Sequence, residues 1–320
     1  MEKADEKAED NMRKAILCIV GVFMICTLSA CGAKKDKTVE VPQDRKEEAE
    51  KEDEIIPNRN DGTEEKTNMI EDSEVFDSFS GCAVLFDSEN QTYIFYNEKM
   101  CNEEASPCST FKIVSTLMGL HNQVIESEES KLGSAERIYQ NETWNGEPDL
   151  ETAFQNSCVW YFRKLIDEIG EEEVQKEIAQ LHYGNSDISQ WNGSDCNPYP
   201  ELNGFWLDSS LKISPLEQVN NLRTILEGKT IYTEKEITVL KNIMLMESDD
   251  TQKIYGKTGT GTNHTGWFVG FAERENNTVY VAVYLDESNS DKSNSGTENS
   301  KEVNGITAKE IALKILKEYE

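Results

Sequence analysis

Three short patterns occur along this 320-residue chain in a fixed order: Ser109-Thr110-Phe111-Lys112, then Ser157-Cys158-Val159, then Lys257-Thr258-Gly259. A fold that uses all three must bring segments from the middle and the end of the sequence to one pocket. There they supply a hydroxyl nucleophile, an amine beside it, a bridging hydroxyl and an anion-binding lysine. Acyl transfer on a small carboxylated amide requires that set. The combination carries the reading, because Ser209-Ser210-Leu211-Lys212 also fits S-x-x-K as an evident decoy.

Each pattern has a local context that suits its task, and a plainer alternative. Pro107 precedes Ser109 and good helix formers follow, which places Ser109 at the first turn of a helix. Ser109 and Lys112 then share a face, and the free N–H groups of the helix start point at whatever Ser109 attacks. Taken alone, the serine is a helix cap and the lysine is solvated. Lys112 lies between Phe111 and Ile113-Val114, however, so its stem enters apolar surroundings. Burial disfavours an ammonium, and a neutral amine can act as a base or react with carbon dioxide to give a carbamate. Ser157 begins a helical run after Phe154-Gln155-Asn156; it relays a proton to a leaving nitrogen or simply caps the helix, and Val159 reads as core. Gly259 and Gly261 let another backbone approach, as a substrate lying along a strand edge would. Lys257 and Thr258 are candidates for its carboxylate, and the Thr260 N–H with that of Ser109 forms a candidate oxyanion hole. The plainer alternative there is an exposed edge strand whose lysine discourages aggregation.

Residues 81–86 and 92–96 are β-rich runs separated by Asp87-Ser88-Glu89-Asn90, which predicts a hairpin. A second hairpin is expected over residues 266–272 and 278–285, with its turn at Asn276-Asn277. Between the two, apolar residues recur at helix spacing, as in Phe111, Val114, Leu117 and Met118, and again in Val159, Phe162, Leu165 and Ile166. Residues 286–304 read as a polar surface loop and residues 306–319 as an amphipathic helix. The expected class is α/β of the α+β type: one antiparallel sheet built from N- and C-terminal strands, flanked by helices and joined to a helical subdomain.

The amino terminus points to export. Met12-Arg13-Lys14 is a basic lead into an apolar run ending Leu28-Ser29-Ala30-Cys31-Gly32, and Met12 reads as the true start. The run has the length of a secretory apolar segment and is short for a membrane span. It resembles the lipobox of bacterial lipoproteins, which implies lipidation of Cys31 and anchoring on the outer face of the cytoplasmic membrane; a plain membrane anchor is the alternative. The division expected is a signal peptide over residues 1–31, a flexible charged tether over 32–69, which has almost nothing to bury, and a catalytic domain over 70–320. The net charge of −29 opposes nucleic-acid binding. Five cysteines remain beyond Cys31, an odd number with no metal-ligand spacing, so no metal is expected.

Five ordered blocks make the chain resemble class D β-lactamases within the serine penicillin-recognising superfamily, from about Phe76 to the end. They are Ser-Pro-Cys-Ser-Thr-Phe-Lys-Ile around Ser109, Asn-Ser-Cys-Val-Trp-Tyr around Ser157, Tyr183-Gly184-Asn185, Phe205-Trp206-Leu207 with Leu211-Lys212-Ile213-Ser214-Pro215, and Lys257-Thr258-Gly259 before Gly266-Trp267-Phe268. The resemblance implies a β-lactamase/transpeptidase-like fold and hydrolysis of the β-lactam ring of penicillin-type antibiotics, giving resistance. It implies that Ser109 is acylated, that N-carboxylated Lys112 is the general base in both half-reactions, and that carbon dioxide or bicarbonate is needed for that modification but no other cofactor. Trp206 would hydrogen-bond the carbamate, Val159 pack over it, Ser157 relay a proton, and Lys257 and Thr258 contact the drug carboxylate. Two departures stand out. No arginine follows K-T-G, where many members carry one; Thr262 and His264 are candidate replacements, or Lys257 and Thr258 act alone. The segment from Asn185 to Phe205 is long for the family and is expected to form a surface insertion near the site rim.

The main alternative is a penicillin sensor that shares these blocks but stays acylated. Such receptors usually carry several membrane spans and a protease domain before the sensor, and the single short apolar segment here favours a free-standing enzyme. A peptidoglycan transpeptidase or carboxypeptidase is a third reading, disfavoured because Ser157-Cys158-Val159 ends in valine where S-x-N is more usual.

Overall fold

The computed structural model describes residues 66–70, 74–76, 79–287 and 302–319. The expected signal peptide with Cys31, the tether as far as residue 65 and most of the loop after the last strand lie outside the described residues.

Seven strands form one sheet: β1 (Lys66–Ile70), β2 (Gly81–Asp87), β3 (Thr92–Tyr96), β4 (Leu245–Ser248), β5 (Gln252–Gly261), β6 (Thr265–Arg274) and β7 (Thr278–Asp286). Their spatial order is β1-β3-β2-β7-β6-β5-β4. Both expected hairpins are present, and β2 pairs antiparallel with β7 in the register Val84↔Ala282, which joins the N-terminal strands to the C-terminal ones. One strand was not expected. Lys66–Ile70, which includes the last four residues of the stretch read as tether, adds to β3 in parallel. Its described side chains, Lys66 to Met69, are exposed, so backbone hydrogen bonds hold it and its composition carries no sign of burial.

The inner strands β2, β7 and β6, with much of β3 and β5, are buried on both faces, and the period of two sorts their side chains into two cores. Val84, Phe86, Val269 and Phe271 face the helical part of the molecule. Ala83, Leu85, Phe268, Val281 and Val283 face the C-terminal helix, whose Ile311, Ile315 and Leu316 cover them. Numbered along the chain, the helices are α1 (Glu98–Cys101), α2 (Lys112–His121), α3 (Leu150–Gln155), α4 (Val159–Ile169), α5 (Glu171–Gln180), α6 (Pro215–Leu226), α7 (Glu234–Met244) and α8 (Gly305–Glu318). Strand β4 pairs with β5 only from Lys253 to Tyr255, so among the described residues the outer edge of β5 beyond Tyr255 has no strand beside it. That free edge faces the pocket where the three sequence patterns meet.

At the far end of the sheet, buried Asp87 ties three segments together. Its Oδ1 accepts the N–H groups of Glu89 and Asn90 at 2.9 and 3.0 Å and Asn277 Nδ2 at 3.0 Å, while its Oδ2 accepts the Tyr319 hydroxyl at 2.7 Å. Burial alone would raise the carboxyl, but the hydrogen bonds from Asn90, Tyr319 and Asn277 outweigh it and hold Asp87 below the ordinary carboxylate range. An unfolded chain therefore takes up this proton more readily than the folded one, so the stabilisation is present above about pH 4 and is lost as pH falls through the folded value. Asp87→Ala is expected to lose about 2–3 kcal/mol at neutral pH. In denaturant titrations the gap between wild type and variant should shrink on acidification; a gap independent of pH would show that the charge of Asp87 contributes nothing.

Candidate active site

Ser109, the candidate nucleophile, sits on a 3-10 turn, Cys108–Phe111, that leads directly into α2. Pro107 precedes the turn, as the helix-start reading anticipates, but Cys108 has φ +49, a left-handed backbone conformation uncommon for a residue with a side chain. Its N–H donates to Trp206 O at 3.0 Å. Strain beside a reactive group persists only where the surroundings over-determine it, and Cys108 is fully enclosed.

Lys112 opens α2 and is completely buried. Its Nζ and Ser109 Oγ are hydrogen-bonded at 2.9 Å, and Nζ lies 5.2 Å from the centre of the Phe162 ring. Burial lowers this amine to about 8. The apolar frame that the flanking residues Phe111, Ile113 and Val114 suggest is thus present, and the amine is poised to take the Ser109 proton. The decoy behaves differently: the Ser209 hydroxyl donates to Gln190 Oε1 at 2.8 Å, and Lys212 is not its partner.

Ser157 does not begin a helix. It lies in the tight connection between α3 and α4 with φ +53, and Cys158 is the residue that precedes α4. The reading as a helix N-cap fails because Asn156 already closes α3. The turn lets the hydroxyl reach across to the sheet, where Lys257 Nζ donates to Ser157 Oγ at 2.5 Å and to Thr258 O at 3.0 Å. Accepting that bond leaves the Ser157 proton free to be passed on. Lys257 is buried near Phe154, and burial, reinforced by the nearby Lys112, pushes it well below the usual lysine range. Val159 is half-buried at the head of α4, and Cys158 is a thiol pushed up to about 11 by burial.

Trp206 is fully buried, stacks on Phe111 with ring centres 5.5 Å apart and is flanked by Arg163. Among the described residues its Nε1 is one of two buried side-chain polar atoms without a hydrogen-bond partner, the other being Ser115 Oγ on α2. Tyr183 supports the turn from behind: its hydroxyl donates to Gln218, whose Nε2 donates to Thr110 Oγ1 at 2.9 Å. Gly259 is needed for close approach, since a Cβ there would lie 3.1 Å from Pro107 O and 3.3 Å from Thr110 Cγ2. Gly305 N–H, at the start of α8, donates to the hydroxyl of exposed Thr260 at 2.9 Å.

The proposed arginine replacements fare poorly. Thr262 N–H and Oγ1 both donate to Asp208 Oδ2, at 2.8 and 2.9 Å, so its polar groups are already engaged. His264 is exposed in the β5–β6 turn with φ +56. Lys257, Thr258 and Thr260 remain for a carboxylate.

The sequence model of the penicillin-binding protein transpeptidase domain matches residues 64–313. The chain belongs to that family. Within it, the relatives are of two kinds. Regulatory protein BlaR1 of Bacillus licheniformis is 35% identical over 250 residues, covering 76% of this chain and 38% of that protein. The probable β-lactamase YbxI of Bacillus subtilis is 33% identical over 248 residues, covering 76% of this chain and 82% of that protein. Among solved structures, the C-terminal domain of the Bacillus licheniformis BlaR penicillin-receptor superimposes with a TM-score of 0.68 at 33% identity, covering 79% of this chain and 96% of that domain. The chain spans less than half the length of the BlaR1 regulator it matches. The penicillin-recognising, class D-like fold expected from the five blocks is therefore correct, and so is the mixed α/β class with its sheet flanked by helices.

Two residues around this site escape a reading of motifs. Arg163 is buried beneath Trp206 and Trp191; it donates to Trp191 O at 2.5 Å and pairs with Asp167. In sequence, Arg163 and Asp167 look like an ordinary surface pair on α4. Asp208 follows Trp206 closely enough to have been suspected, but only its contacts give it a role.

Reaction of Ser109 with a fluorophosphonate tests the base without assuming a substrate. In bicarbonate-free buffer, labelling should rise about tenfold per pH unit and level off above about 8 as Lys112 loses its proton. Lys112→Ala should slow it by at least about a hundredfold. Flat labelling across this range would show that Lys112 is not the base.

Proposed function

We propose that this protein is a serine β-lactamase of class D type, which opens the ring of penicillin-type antibiotics through an acyl-enzyme on Ser109. The observation that carries the reading is the hydrogen bond between buried Lys112 Nζ and half-buried Ser109 Oγ, together with a buried Trp206, stacked on Phe111, whose Nε1 lacks a partner.

The substrate lies along the free edge of β5, with its carboxylate directed to Lys257 and Thr258. Lys112 takes the Ser109 proton as Oγ attacks the ring carbonyl. The N–H groups of Ser109 and Thr260 hold the oxygen that becomes negative, and the Ser157 hydroxyl hands a proton to the departing nitrogen. The first half-reaction then ends with Ser109 acylated. Release requires a base that still functions beside the acyl group, and water next to it.

The residues around Lys112 fit N-carboxylation. The amine is driven toward its neutral, reactive form, and a negatively charged group there would accept from Trp206 Nε1 and offset the charge of Lys257. When carboxylated, Lys112 presents an oxygen as proton acceptor in both half-reactions. Export and lipid attachment at Cys31, which would bring the domain to the outer face of the cytoplasmic membrane, belong to the same proposal.

A second reading follows from the similarity to the BlaR penicillin-receptor domain: a sensor that is acylated and stays so. Intact-mass spectrometry with excess benzylpenicillin in bicarbonate separates the two. A transient adduct that returns to free protein while many equivalents of penicilloate accumulate is expected. One adduct that persists for hours would make the protein a receptor. Trp206→Phe, which removes Nε1, should slow turnover and raise its dependence on added bicarbonate; turnover unaffected by this change or by bicarbonate would remove the carbamate from the mechanism.

A further inference from the structure

The two donors of the oxyanion hole sit on separate elements, Ser109 on the 3-10 turn and Thr260 on β5, and one carboxylate spans them. Asp208 Oδ2 accepts both the N–H and the hydroxyl of Thr262, two residues beyond Thr260, at 2.8 and 2.9 Å. Its other oxygen, Oδ1, accepts the thiol of Cys108, the residue before Ser109, at 3.8 Å. Burial and the Asp208 charge both push the Cys108 thiol up, so it keeps the proton it donates. Asp208 itself is strained, with φ +45, and the segment that carries it is fastened to the nucleophile turn by the bond from Cys108 N–H to Trp206 O. Gly261 makes the approach possible, because a Cβ there would lie 2.9 Å from Asp208 Oδ1 and 3.4 Å from Cys108 Sγ.

We infer that Asp208 is a positioning residue that sets the separation of the Ser109 and Thr260 N–H groups, by clamping the β5–β6 turn to the residue before the nucleophile. This rests on the acylation of Ser109 proposed above. The side chain does not touch the reacting atoms. It acts by holding two backbone donors where negative charge develops, and such donors act on the transition state more than on the bound substrate. Pairing with Gly266 on β6 and the bond from Gly305 N–H to its hydroxyl also hold Thr260, but neither ties it to the nucleophile turn, and that link is the one the clamp adds.

Single-turnover acylation by benzylpenicillin and binding of a boronic acid, whose adduct on Ser109 is tetrahedral, test the role in the purified protein. Asp208→Ala should lower the saturating acylation rate and the boronate affinity by a similar factor, about tenfold or more, with little change in ground-state affinity for the penicillin. Asp208→Asn keeps an acceptor for the Thr262 N–H and should stay within about threefold of wild type. Thr262→Val, which removes only the hydroxyl, should fall between them, and both milder variants serve if the alanine variant does not fold. Wild-type rate and boronate affinity in the folded variants would overturn the role, as would an equal loss of ground-state affinity. A wild-type protein that penicillin does not acylate would refute the functional reading itself. Amide exchange at Thr262 needs no substrate and still reports on the clamp: it should accelerate in Asp208→Ala, and unchanged exchange would dispose of it.

Discussion

Two lysine side chains, Lys112 and Lys257, are buried at the junction of the sheet and the helices, and neither has a carboxylate partner among the described residues. Taking an ammonium out of water without a partner is costly, so burial pushes each amine toward neutrality, and Lys112 lowers Lys257 further. Much of the site follows from that constraint. One amine can serve as a base because it is neutral, and a pocket with surplus positive potential accepts an anion readily. The surrounding aromatic side chains, Phe111, Phe154, Phe162 and Trp206, keep water out and maintain the imbalance.

Beyond their shared hydrophobic core, the sheet and the helical part are joined at the site by a few polar side chains. Lys257 reaches from β5 to Ser157, and Asp208, whose other oxygen takes the Cys108 thiol, reaches to Thr262 at the end of β5. At the helical and loop side of these links stand Cys108, Ser157 and Asp208, each in a left-handed backbone conformation that ordinary residues avoid. Tight packing holds those conformations in place, since all three lie against buried aromatic residues or the sheet. Strain of this kind concentrates where a side chain must be aimed more narrowly than a regular helix or strand allows.

Enzyme-like and receptor-like relatives resemble this chain to nearly the same degree, as the values for YbxI and BlaR1 show. On the function proposed above, capture and turnover would share a nucleophile, a base, an oxyanion hole and a carboxylate contact, and would divide on whether a base and a water stay competent beside the acyl group near Lys112.

Much of this protein was legible in the sequence. Continuous β-rich runs within residues 81–96 and 266–285, broken by polar turns, identified the two hairpins, because these strands are buried on both faces between two cores. Spacing placed Ser109 beside Lys112, since three residues along a helical turn brings side chains together whatever surrounds them. The short apolar frame of Lys112 pointed to its burial. Tertiary structure decided what depends on distant partners. Strand β1 shows no pattern because only its backbone is used. Ser157 reads as a cap until its left-handed turn is seen, and Thr262 reads as a free hydroxyl until Asp208 is found against it. Arg163 reads as a surface residue until Trp191 and Trp206 cover it. Local patterns determine which face of an element is apolar and which residues are close neighbours on it. Whether a polar group is satisfied, strained or left without a partner is determined by segments far away in the chain, and those meet only in the folded molecule.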